Sequence, residues 1–158
     1  MKTLIVYASK HGCVEKAANI LYDKLNTTKD IVNIKENSKV YITNFDTIII
    51  GGSIYGGNIQ TEIKQFVKNN FDGLLDKKVG LFLCCGMEKE YKKQIEKSFP
   101  KELLDHVTTD GYFGYEFNVD KMGFIEKSLV KLIAKDKIGD SKISIDNIQK
   151  FADRIQGD

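Results

Sequence analysis

The chain of 158 residues is 42% hydrophobic and 29% charged, with a formal net charge of +2. That length and mix fit one soluble globular domain over residues 1–158, long enough to bury a real core. The near balance of charge, with lysines spread along the chain, argues against a nucleic-acid binder, and no apolar run approaches the ~20 residues needed to span a bilayer.

A first strand is expected over Lys2 to Tyr7, where Leu4-Ile5-Val6-Tyr7 is a compact apolar run. A first helix follows over Cys13 to Asn26, because Val14, Ala17, Ala18, Leu21 and Leu25 recur at spacings of three and four. A weaker second strand covers Ile31 to Ile34, and the β-branched run Thr47 to Gly51 makes a third. The second helix covers Gln60 to Asn70, with Ile59, Ile63, Phe66 and Val67 on one face. Strand four is Val79 to Cys84, and helix three is Lys89 to Ser98, closed by Pro100. A partly polar fifth strand spans Val107 to Phe117. Helix four, Lys121 to Lys135, carries Ile125, Leu129, Leu132 and Ile133. Helix five, Ile145 to Gln156, carries Ile148, Phe151, Ala152 and Ile155, with Ser144 as its N-cap.

Apolar strands alternating with amphipathic helices describe an α/β domain whose parallel sheet is covered on both faces. Right-handed crossovers make it doubly wound, and ligands of such sheets bind outside the carboxyl ends of the strands. Three unusual loops fall at those ends: Ala8 to Val14, Gly51 to Asn58, and Cys85 to Glu90. The first runs from a strand into a helix start, where unpaired N–H groups and the helix dipole make an anion site. The second holds Gly51, Gly52, Gly56 and Gly57 around Tyr55, a flat ring beside backbone that can approach a ligand closely. Together they suit a ligand with a phosphate at one end and a planar ring at the other.

Other residues have blander readings. Cys13 is a small side chain at a helix start, where its pKa is open to lowering. Cys84-Cys85 lacks the spacer of thiol oxidoreductases and reads as packing. The two histidines, His11 and His106, fit no zinc spacing, so neither a metal site nor a catalytic base is expected. Three cysteines, two of them adjacent, make no disulfide framework, and no basic-then-apolar leader precedes the first strand. A cytoplasmic location is therefore expected. The basic helix Lys121 to Lys137 either covers the sheet or touches a membrane surface.

The opening Lys2-Thr3-Leu4-Ile5-Val6-Tyr7-Ala8-Ser9, the loop Ile50-Gly51-Gly52-Ser53-Ile54-Tyr55-Gly56 and the stretch from Gly111 to Lys135 resemble the flavodoxins. The resemblance covers essentially the whole chain. Within the family it is similar to the branch that includes the menaquinone-linked protoporphyrinogen oxidase of bacteria. The resemblance implies a three-layer sandwich, a five-stranded parallel sheet of order 2-1-3-4-5 and one non-covalent FMN. Ser9, Lys10, His11, Gly12, Cys13 and Val14 would hold the phosphate. Ser53, Ile54, Tyr55, Gly56, Gly57 and Asn58, with Cys85, Gly86 and Met87, would flank the isoalloxazine. The phosphate loop departs from the family pattern: Ser9 and Gly12 match its shorter form, while His11 and Val14 replace hydroxyl residues. The implied function is electron transfer through the flavin between redox partner proteins. The alternative is an enzyme passing electrons from a small organic substrate to a quinone.

Overall fold

The computed structural model describes residues 1–116, 123 and 141–157. The fourth helix expected from the sequence, and the end of the fifth strand beyond Glu116, lie outside the described residues. In chain order the strands are β1 (Lys2–Tyr7), β2 (Thr28–Asn33), β3 (Thr47–Tyr55), β4 (Asn58–Ile59), β5 (Lys78–Cys84), β6 (Thr109–Tyr112), β7 (Gly114–Glu116) and β8 (Ser141–Ile143). The helices are α1 (Cys13–Lys24), α2 (Thr61–Asn69), α3 (Phe71–Leu75), α4 (Tyr91–Ser98), α5 (Lys101–His106) and α6 (Ile145–Gln156). A single 3₁₀ turn, Glu88–Glu90, precedes α4.

The main sheet runs β2-β1-β3-β5-β6, all neighbours parallel. Counting only these long strands, the order is the expected 2-1-3-4-5. Two hairpin features were not anticipated. β4 folds back antiparallel on the end of β3, and β7 pairs antiparallel with β8 in a separate ribbon. What reads as one long fifth strand is therefore two short ones. They break at Phe113, whose ring is fully buried, and at Gly114, whose φ of 88° turns the chain. A Cβ at Gly114 would lie 1.9 Å from the Lys142 carbonyl, so the ribbon closes only on a glycine.

Side-chain alternation splits the core in two, one part on each face of the sheet. Leu4, Val6, Ile48, Ile50, Val79, Leu81 and Leu83 point to the side covered by α2 through α5. Ile5, Tyr7, Ile49, Phe82 and Cys84 point to the other, against α1 and α6. Both covering helices of the second side keep the expected stripe, buried at Val14, Ala17, Ala18 and Leu21 in α1 and at Ile148, Phe151, Ala152 and Ile155 in α6. The Ser144 hydroxyl caps α6 by accepting the Asn147 N–H, and Gly157 closes it in the left-handed region. Among the described residues no helix is long and apolar enough to cross a membrane.

Candidate functional site

β1, β3 and β5 end side by side, and their following loops converge at that edge. The first loop turns at Gly12, whose φ of 91° makes it the N-cap of α1. The Ser9 hydroxyl accepts the Gly12 N–H at 3.1 Å, so Ser9 braces the loop and keeps its own proton to donate. No side chain caps α1, and its first internal bond runs from the Lys16 N–H to the Gly12 carbonyl. The amides of Cys13, Val14 and Glu15 thus precede the helical ladder at the positive end of the dipole. Val14 offers only this amide, because its side chain is fully committed to the core. Lys10 is exposed. His11 is buried, 4% exposed, with its ring edge-on to Tyr55 at 5.5 Å and 68°. That packing ties the first loop to the second.

The second loop is less of a loop than its glycines imply. β3 continues through Gly51, Gly52, Ser53 and Ile54 to Tyr55, and only Gly56-Gly57 turn. Their φ values of 55° and 72° are both positive, the two-residue hairpin turn that glycine pairs favour. Gly51 and Gly52 serve packing: a Cβ on Gly51 would meet the Phe82 ring at 1.9 Å, and one on Gly52 would meet Ile59 at 2.7 Å. Tyr55 stands at the strand end, 40% exposed. Asn58 donates its amide to the Gly56 carbonyl at 3.2 Å.

Gln60, which the sequence reading placed only at a helix start, joins the loops. Its Oε1 accepts the Ser53 N–H at 2.9 Å. Its Nε2 donates to the Ala8 carbonyl at 3.0 Å and to Ser53 Oγ at 2.6 Å. No sequence pattern marks this role; it depends on the β3–β4 hairpin, which returns Gln60 to the carboxyl end of β1.

In the third loop Cys85 is buried, its N–H bound to the Gly114 carbonyl at 3.1 Å and its thiol directed to the Met87 carbonyl at 3.7 Å. Burial pushes its pKa up. Gly86 is half-buried, and Met87 is 58% exposed. Tyr91 is engaged elsewhere: its hydroxyl donates to Asp110 at 2.5 Å and its ring meets Tyr112 edge-on at 6.0 Å. Burial and then the Asp110 carboxylate raise the Tyr91 pKa, so it stays a neutral donor. A cavity of about 650 Å³ opens beside the loop, lined by Gly86, Met87, Tyr112, Tyr115, Lys142 and Asn147 among others. Tyr112 and Tyr115 supply the aromatic surface that the sequence reading missed by treating them as plain strand residues.

Cys13 packs against the buried cluster that contains Cys84. The Cys84 thiol holds the Cys13 thiol below its ordinary pKa, against the opposing effect of burial. Cys13 and full burial raise that of Cys84. Both fit packing beneath the site, as does the free state of all three cysteines. Among the described residues no His, Cys, Asp and Glu cluster could hold a metal.

A family model described as a flavodoxin domain matches residues 4–144. An uncharacterized protein of Methanocaldococcus jannaschii is 35% identical over 121 residues, 73% of this chain and 79% of that protein. The flavodoxin-like domain-containing protein BilS of Clostridioides difficile is 27% identical over 110 residues, 65% of this chain and 60% of that protein. The crystal structure of oxidised Flavodoxin 1 from Bacillus cereus superposes with a TM-score of 0.61 at 13% identity, covering 99% of this chain and 97% of that one.

Proposed function

Because the chain belongs to the flavodoxin domain family, we propose that its three loops hold FMN and that it carries electrons between redox partners. FMN is the family's cofactor and this chain's. The observation that carries the site assignment is the convergence of an uncapped helix start and an exposed aromatic hairpin at one sheet edge, braced together by Gln60. The residues fit the cofactor's two ends. For the phosphate, the Ser9 hydroxyl and the amides of Lys10, His11, Cys13 and Val14 would serve as donors, while the Gly12 amide braces Ser9 and Lys10 adds charge. For the ring, Tyr55 would cover one face, with Ser53, Ile54, Gly56, Gly57 and Asn58 at its edge. Cys85, Gly86 and Met87 would close the opposite side. When bound, the flavin supplies the electron-carrying chemistry, and the protein sets its potential through nearby dipoles and charges.

A second reading, an enzyme of the protoporphyrinogen-oxidase type that passes electrons from a small organic substrate to a quinone, draws on the cavity beside the third loop. Its Tyr112 and Tyr115 rings would suit a planar substrate, in a lining where Lys89 and Lys142 are balanced by Glu88 and Glu90. The carrier reading is favoured because, among the described residues, two ring side chains at the converging loop ends are engaged in packing and bonding: His11 lies edge-on to Tyr55 and the Tyr91 hydroxyl donates to Asp110. The test is to purify the protein, identify any released flavin, and reduce it stepwise. Bound FMN taking up its electrons in two separated one-electron steps supports the carrier. A single two-electron step supports the enzyme, and a protein that takes up no added FMN overturns both.

A further inference from the structure

Lys97 lies on the last turn of α4, outside the three loops, with an exposed side chain. Its ammonium nevertheless reaches the hairpin turn and donates to the Gly57 carbonyl at 2.7 Å. It lies so close over the turn that a Cβ on Gly57 would meet Nζ at 3.5 Å. With Asn58 on the Gly56 carbonyl, both carbonyls of the turn are held by side chains. Only the Lys97 contact carries a full charge, and charge-assisted bonds are the stronger kind. Among the described residues no ion pair draws the ammonium off to a carboxylate. The cavity below it, between α2 and α4, is lined by Lys64 and Lys68 as well as Lys97, with Glu102 the one acidic side chain in that lining.

A Gly-Gly turn is cheap to rearrange, since each peptide can rotate without a Cβ penalty. A turn carbonyl beside a redox cofactor has a reason to rotate: it can accept a hydrogen bond from a proton that the ring takes up with an electron. A carbonyl already aimed at Lys97 must first give up that bond. We propose that Lys97 is a positioning residue that locks the Gly56-Gly57 turn and so opposes its reorientation when the bound cofactor takes up its first electron. The proposal rests on the FMN reading for its redox consequence and on the turn geometry alone for the lock.

The experiment compares wild type with Lys97→Met, which removes the donor, and Lys97→Arg, which restores a charged donor. Amide hydrogen exchange in the flavin-free proteins reads the lock directly, and stepwise reduction of the FMN-loaded proteins reads its consequence. In K97M the turn amides are expected to exchange about two- to fivefold faster, the range of an exposed ion-held contact. The fraction of one-electron-reduced protein at half reduction is expected to rise by a similar factor, equally at low and at 0.5 M salt. K97R is expected to track wild type in both. Unchanged exchange in K97M overturns the lock. So does a redox effect that vanishes at high salt, because that would make Lys97 a screened point charge and no more. Failure of the wild-type protein to bind FMN defeats the cofactor reading separately, since the exchange arm needs no flavin.

Discussion

Gly51→Ala tests the packing logic that positions the site. Gly51 and Phe82 are register partners on β3 and β5, and the Phe82 ring lies directly over the glycine. An added Cβ would stand 1.9, 2.3 and 2.5 Å from three ring carbons, inside any contact a real methyl makes. The ring has little freedom to move away. Phe82 is fully buried, stacked on Phe113 at 4.4 Å and 13°, and Phe113 is in turn edge-on to Phe151 at 5.2 Å. The substitution therefore overpacks a chain of three aromatic rings, which costs about 1–3 kcal/mol or more. Against a total stability of about 5–15 kcal/mol this is large but survivable. For a domain of this size it lowers the melting temperature by roughly 2–4 °C per kcal/mol, so by about 4–12 °C for a cost in the upper half of the range. Urea unfolding of G51A, F82L and the double variant measures it. The reasoning expects the double variant to be more stable than the sum of the two single losses implies, because the smaller leucine vacates the space the methyl needs. A G51A protein within ~0.5 kcal/mol of wild type with an unchanged denaturant slope would refute it.

Three further outcomes follow from the same contacts. Gln60→Leu strands the Ser53 N–H and the Ala8 carbonyl at the junction of two loops; it should cost about 1–3 kcal/mol in urea unfolding and weaken FMN uptake measured by fluorescence quenching. Ser144→Ala removes the hydroxyl that accepts the Asn147 N–H at 3.3 Å and should cost about 1 kcal/mol with flavin binding intact, checked by thermal unfolding. Burial first, then Glu15 and Glu36, push the Tyr7 pKa up to about 12 from an ordinary 10. The folded state thus holds the phenol proton more tightly than the unfolded state. Stability should be unaffected by this group below pH ~10 and fall as pH rises from there to ~12. Tyr7→Phe should flatten that alkaline slope in pH-dependent unfolding, and an unchanged slope would assign it to other groups.

The alternation of main strands and helices and the two faces of the core were legible because both rest on local patterns: apolar runs, helical spacings and the Ser144 cap. The order of the strands came only through the family resemblance. The first loop was legible for the same reason, since a strand, a glycine and a helix start must follow one another in the chain. The misread parts depend on partners distant in sequence. Thr28 to Asp30 are mostly polar, yet they belong to β2 because Lys2 to Leu4 pair with them at the sheet edge. Phe71 to Leu75 and Lys101 to His106 are helices too short to show a period. His11 reads as a polar loop residue, but Tyr55 from another strand buries it.

The glycine-rich segment shows why such a motif overstates flexibility. Its four glycines look alike in the chain, but they do two separate jobs. Gly51 and Gly52 lie in a paired strand, where Phe82, Ile59 and Gln60 leave no room for a Cβ. Gly56 and Gly57 have space around them and are required for their positive φ. Rigid strand therefore extends to Tyr55, and only two residues beyond it are conformationally cheap to move. Those two are the ones whose carbonyls Asn58 and Lys97 hold. The fold thus carries the aromatic ring on a fixed support and confines adjustable backbone to a turn already tied down. On the proposed reading, a site built this way would tune its cofactor through one small hinge and not through a mobile loop.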